Sequence, residues 1–155
     1  MMKNLRFSLI FIGVFGLILL ILKLFPPPGS NQPAFRIVRM QITSSAFENN
    51  DIIPVKYTCD GETVSPPLTF TDIPKTAVSL SLVVEDPDAP NGTFTHLNLS
   101  GIPADKTGFD EGELSDFIPP CPPSGTHRYR FILRALNDKG AQISQSILTG
   151  LYSAQ

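Results

Sequence analysis

Two kinds of hydrophobic pattern divide the chain. Phe7–Leu22 is apolar apart from Ser8, Gly13 and Gly16, with Arg6 before it and Lys23 after it. A helix that spans a bilayer needs about 20 mostly apolar residues, and Leu5–Phe25 meets that length if the two cations reach the interfaces. Residues 1–25 therefore predict an N-terminal transmembrane helix. No small-x-small site follows the run, so an uncleaved anchor fits better than a signal peptide. The short basic tail stays inside, which places a single-pass protein with its domain outside the cytoplasm. Cleavage, giving a secreted or periplasmic domain, is the alternative. Residues 26–36 open on Pro26-Pro27-Pro28-Gly29-Ser30 and predict an extended linker.

From residue 37 to 155 the pattern changes to alternation with a period of two, the mark of half-buried strands. Residues 37–42 predict an opening strand, and Val55–Cys59 a second with Val55, Tyr57 and Cys59 on one face. Leu68–Phe70 predicts a short strand. In Val78–Val84, Leu80, Leu82 and Val84 share a face. Thr93–Leu99 puts Phe94, His96 and Asn98 on one side and Leu97 and Leu99 on the other. Arg128–Leu136 is the strongest strand: Tyr129, Phe131, Leu133 and Ala135 point one way, Arg128, Arg130 and Arg134 the other. Gln142–Leu148 is the one place where a helical turn or two is expected.

Composition agrees with a β domain. The chain holds 15 prolines and 11 glycines, and the prolines fall between the strand runs, where no ladder hydrogen bond is lost. All 14 acidic side chains lie beyond residue 35. An acidic domain without a basic stripe argues against nucleic-acid binding. Cys59 and Cys121 fit no zinc spacing. They are either one disulfide or two separate thiols, since bonding depends on a separation in space that the sequence does not give.

The chemistry-bearing residues cluster in two segments. Glu85-Asp86-Pro87-Asp88-Ala89-Pro90 ends a strand in a stiff turn, and Asp86 and Asp88 face the same side if that turn stays extended. His96 follows on the next strand. The second segment runs from Pro119 through Gly125 to Tyr129, with His127 and Tyr129 on one strand face. Imidazole N–H, tyrosine O–H and the backbone N–H groups of 124–126 could together donate to an anion. Taken singly, an Asp-Pro turn or a strand histidine is more often structural than functional.

Five segments occur in order: Tyr57-Thr58-Cys59-Asp60-Gly61, Ser65-Pro66-Pro67-Leu68, Asp86-Pro87-Asp88-Ala89-Pro90, Phe94-Thr95-His96, and Pro120-Cys121 through His127-Arg128-Tyr129. Together they resemble the phosphatidylethanolamine-binding protein family, in its bacterial Raf-kinase-inhibitor-like branch. The resemblance covers residues 40–152. It implies a mainly β fold, a β-sandwich with few short helices. It also implies a pocket for phosphate-like or carboxylate anions, phospholipid head groups included. By matching positions, the ligand residues would be Asp86, Asp88, His96, Pro122, Gly125, His127 and Tyr129, with Asp60 near the rim. The sequence departs from the family pattern at Glu85 and Leu97, in a shortened loop between Gly112 and Pro120, and in the loss of a helix before Leu148-Thr149-Gly150-Leu151-Tyr152.

The expected function is thus binding of a small anion or phospholipid head group without cofactor or metal, with a protein partner and a signalling role as further implications of the resemblance. The membrane would be met through the N-terminal segment. The alternatives are a hydrolase that uses a pocket histidine and a structural relic with a dead pocket. No Gly-x-Ser-x-Gly elbow accompanies Ser124, which favours binding over catalysis. Zinc on the two histidines and a carboxylate is a third reading, but the tyrosine and proline turns suit an anion better.

Overall fold

The computed structural model describes residues 39–154. Eight strands and one 3₁₀ turn make up this part of the chain. β1 (Gln41–Thr43), β3 (Leu68–Thr71) and β6 (Gly108–Phe109) form a small antiparallel sheet in the order β1-β3-β6. The larger sheet contains β2 (Asp51–Ile52), β4 (Ser79–Asp86), β5 (Phe94–Pro103), β7 (Thr126–Leu136) and β8 (Gln142–Ser153), in the order β2-β8-β7-β4-β5. Its pairs are antiparallel except β2 with β8.

The expected sandwich is present, but two parts of the expected architecture are corrected. Among the described residues no helix is long and apolar enough to cross a membrane. The transmembrane helix, and the membrane location built on it, therefore find no support in the structure. The anchor at 1–25 and the linker at 26–36 lie outside the described residues. The few short helices reduce, among the described residues, to the 3₁₀ turn Val55–Tyr57.

Alternation explains the core. Along β4 every second residue is buried, giving Leu80, Leu82, Val84 and then Asp86. Along β7 the inward set is His127, Tyr129, Phe131, Leu133 and Ala135. These side chains meet Ile42, Leu68 and Phe70 of the small sheet in one cluster, with Phe47 and Phe117 on either side of Phe131 at ring distances of 5.8 and 6.3 Å. Burying each large apolar side chain contributes about 1.5–3 kcal/mol. The last inward place on β4 and the first on β7 are polar, so the core ends in a polar cluster.

Three local expectations fail for identifiable reasons. Val55–Cys59 alternates like a strand but coils, because the Tyr57 and Thr58 amides close turns onto Pro54 and Val55 carbonyls. Gln142–Leu148 is the first half of β8, the longest strand. The Asn137–Gly140 turn folds it straight back on β7, with Asn137 Oδ1 accepting the Lys139 and Ala141 amides. His96 and Leu97, expected on opposite faces, are both buried. The cause is a β-bulge. Val84 pairs with Leu97 and Glu85 with Thr95, which leaves His96 without a partner on β4. A bulge of this kind re-aims one side chain.

Cys59 and Cys121 are joined in a disulfide with Cα atoms 5.4 Å apart, at a sequence separation of 62. Closing a loop of that length removes denatured-state entropy worth about 4 kcal/mol.

Gly150 provides a test of the packing. It faces the core from β8 opposite Asp51. A Cβ there would fall 2.4 Å from Ile53 Cγ1 and 2.9 Å from Phe47 Cε2. Gly150→Ala is expected to destabilise the protein by about 1–3 kcal/mol in urea denaturation. An unchanged midpoint would contradict this packing.

Candidate functional site

The polar end of the core brings together residues from four segments. Asp86 closes β4, His96 is the bulged residue of β5, His127 and Tyr129 open β7, and the proline-rich stretch 118–123 runs alongside. Asp86, His96, His127 and Tyr129 are 4%, 5%, 7% and 0% exposed. Pro122 is buried as well.

Asp86 organises the cluster. Its Oδ2 accepts from His127 Nδ1–H at 2.6 Å, and its Oδ1 accepts the Asp88 amide at 2.8 Å. Both oxygens of this buried carboxylate are therefore satisfied, as burial requires. His96 is fixed differently. Its Nδ1 lies 2.8 Å from the Ile118 carbonyl oxygen, and the Ile118 amide donates back to the His96 carbonyl at 2.9 Å. A carbonyl can only accept, so Nδ1 carries the hydrogen. The His96 ring stands edge-on to Tyr129 at 5.1 Å and to Phe94 at 4.8 Å. Burial lowers the His96 pKa from 6.5, against an upward pull from the Ile118 carbonyl and from Asp86.

Tyr129 is the anomaly. Its hydroxyl is the one buried side-chain polar atom, among the described residues, without a hydrogen-bond partner. Burial raises its pKa strongly, and the Asp86 carboxylate adds to this; the Cys121 amide, directed at the hydroxyl oxygen but outside full hydrogen-bond geometry, acts in the opposite sense. Cys121 is held in turn by its disulfide, and the neighbouring Pro120 carbonyl accepts the Cys59 amide at 3.0 Å.

Two expected site residues take other places. Asp88 does not face the same side as Asp86, because residues 87–90 turn rather than extend. Its oxygens accept Arg128 Nη2 at 2.6 Å, Arg128 Nε at 2.8 Å and the Arg128 amide at 3.0 Å. The guanidinium holds the Asp88 carboxyl well below the usual range, at about 2. Gly125 is exposed with φ +70°, and a Cβ there would meet nothing within 4 Å. Its contribution is thus the left-handed turn that leads into β7. Asp60 accepts from Tyr152 Oη at 2.5 Å, and Tyr152, on β8, pairs with His127 of β7.

Sequence reasoning missed Ile118 and Arg128. Ile118 acts through its main chain, which no residue pattern reveals. Arg128 carried a usable signal, since it alternates away from Tyr129 on β7 and so faces the side to which Asp88 turns.

The two histidines make a direct test possible. In proton NMR the His96 ring should titrate below 6.5. The unfolded chain then takes up this proton first as pH falls. The stability linked to His96 is full above 6.5 and is lost as pH drops through the folded value. Titration of the His96 ring at or above 6.5 would contradict the packing described.

Comparison with known proteins bears on the fold and the family. The family model described as phosphatidylethanolamine-binding protein matches residues 43–153. A protein of Methanothermobacter thermautotrophicus, named only as UPF0098, is 42% identical over 116 residues, covering 63% of this chain and 77% of its own. The crystal structure of a phosphatidylethanolamine-binding protein homologue from Chlamydia trachomatis gives a TM-score of 0.70 at 32% identity, over 76% of this chain and 99% of that one. The E. coli protein YbcL gives a TM-score of 0.68 at 22% identity over the same shares, a likeness of fold alone. The chain belongs to the phosphatidylethanolamine-binding protein family.

Proposed function

We propose that this domain binds a small oxyanion of the phosphate type, free or as a head group, at the Asp86, His96, His127 and Tyr129 cluster. The observation that carries this reading is the Tyr129 hydroxyl, fully buried and, among the described residues, without an acceptor for its hydrogen. Leaving such a group unsatisfied costs about 1–3 kcal/mol, a cost that a ligand oxygen removes. The imidazoles beside it are fixed through Nδ1, which leaves each Nε2 without a partner among the described residues. A donor hydroxyl and two imidazole rings suit an oxyanion. A signalling role, through a protein partner that senses the occupied site, is a downstream consequence of the same reading.

Hydrolysis is the weaker alternative. A buried Asp–His pair can orient a general base. However, the two aliphatic hydroxyls just before it in sequence, Ser124 and Thr126, are exposed; Thr126 pairs with Ser153, and neither makes a hydrogen bond to His127 among the described residues.

Tyr129→Phe separates a ligand role from a structural one. If the hydroxyl waits for a ligand, its removal stabilises the unliganded protein by about 1 kcal/mol in urea denaturation. The same change weakens binding of inorganic phosphate, measured by calorimetry on the full chain at about pH 6, by roughly tenfold. Loss of stability together with unchanged phosphate affinity would overturn the proposal.

A further inference from the structure

We propose that Asn91 is a site of spontaneous modification, at which the folded protein loses the side-chain amide as ammonia and carries aspartate or isoaspartate in its place. The proposal is independent of what the pocket binds.

The chemistry needs an asparagine followed by a residue without a side chain. The Gly92 amide nitrogen attacks Asn91 Cγ. A bond forms between that nitrogen and Cγ, the bond from Cγ to the side-chain nitrogen breaks, and ammonia leaves with the proton from Gly92. The product is a cyclic succinimide, which water then opens. Attack at Cγ restores the ordinary backbone with an aspartate side chain. Attack at the Asn91 main-chain carbonyl carbon leaves the chain running through Cγ, as isoaspartate. Asn91-Gly92 is the one Asn-Gly pair in the sequence.

The fold leaves this pair open. Residues 90–95 are all exposed. Gly92 has φ +94°, and a Cβ built on it would meet nothing within 4 Å, so the backbone there is free to turn as the ring closes. Pro87 and Pro90 carry no N–H. The Asp88 amide donates to Asp86 Oδ1 at 2.8 Å and the Gly92 amide to the Ala89 carbonyl at 3.1 Å. Neither bond holds Asn91. The Gly92 bond must open before its nitrogen attacks, which slows the step by up to about tenfold without blocking it. Both ends of the turn are clamped: Asp86 pairs with Phe94 on β5, and Asp88 is held by Arg128. The extra backbone methylene of isoaspartate is therefore taken up in the exposed turn, and the fold survives the change.

Comparable positions are held. Asp60-Gly61 can cyclise by the same route, losing water instead of ammonia. However, Asp60 Oδ2 accepts from Tyr152, the Gly61 amide donates to the Thr58 carbonyl at 3.2 Å, and a Cβ on Gly61 would fall 2.1 Å from the Val55 carbonyl oxygen. Asn98 lies in β5 opposite Val83 and precedes a leucine. Asn49 and Asn137 have their Oδ1 atoms bonded to main-chain amides.

The test is peptide mapping by mass spectrometry of the full chain, incubated at mildly alkaline pH with and without urea. Isoaspartate is measured with an isoaspartate-specific carboxyl methyltransferase. Without urea, Asn91 should convert at least about tenfold faster than Asn98 or Asn137, a difference in activation free energy of about 1.4 kcal/mol. Urea should leave the Asn91 rate within about tenfold of its folded value, and should release isomerisation at Asp60 that the folded protein does not show. Asn91→Gln, whose longer side chain closes the ring far less easily, should abolish the methyl-acceptor signal of the folded protein. Conversion of Asn91 only in urea, or at the rate of Asn98, would overturn the proposal. So would a methyl-acceptor signal that persists in Asn91→Gln.

Discussion

The hydrogen bond between Asp86 and His127 is the contact on which the rest of the site depends. Both partners are nearly buried and lie 2.6 Å apart. A carboxylate removed from water is unfavourable unless its oxygens are paired. Here the second oxygen takes the Asp88 amide, so one side chain fastens the end of β4, the proline turn after it and the start of β7. The turn then carries Asp88 outward to Arg128, which closes the outer face over the same junction. Removing either partner would leave the other buried alone.

Around this contact the fold makes room for function in two ways. The bulge in β5 adds one unpaired residue to the strand, and that residue is His96. Its ring is turned inward without disturbing Leu97, which stays in the core. The proline-rich stretch then fixes the ring through Ile118 and is itself fastened to the Cys59 loop by the disulfide and by a main-chain hydrogen bond. The molecule thus fixes two imidazoles and leaves the buried Tyr129 hydroxyl without an acceptor for its hydrogen among the described residues. Strict local order around an unsatisfied group is the pattern expected where stability is given up for binding.

Much of this was legible in the sequence, and the failures have physical causes. β4 and β7 could be read because their inward faces are wholly apolar until Asp86 and His127. β8 could not, because Gln142, Ser144, Gln145 and Ser146 carry little strand propensity. Pairing with β7 imposes the strand on them. The opposite error occurred at Val55–Cys59, where alternating residues coil because Pro54 and the following turn direct the backbone. The identities of the site residues came from ordered motifs, not from periodicity. Their roles were less accessible: Asp88 was expected inside and turns outward, and the hydrogens on the histidines depend on a carbonyl 22 residues away. The apolar N-terminal run read as a membrane anchor, and no described part of the structure bears that out.

The central claim is that both imidazoles are held through a hydrogen on Nδ1 in the cluster that contains the buried Tyr129 hydroxyl. Long-range ¹H–¹⁵N correlation spectra of the histidines, recorded on the full chain at about pH 7.5, report each ring nitrogen separately. The account predicts a hydrogen on Nδ1 of both His96 and His127, with the Nε2 resonances moving when inorganic phosphate is added. A bare Nδ1 on either ring, or Nε2 resonances indifferent to phosphate, would contradict it.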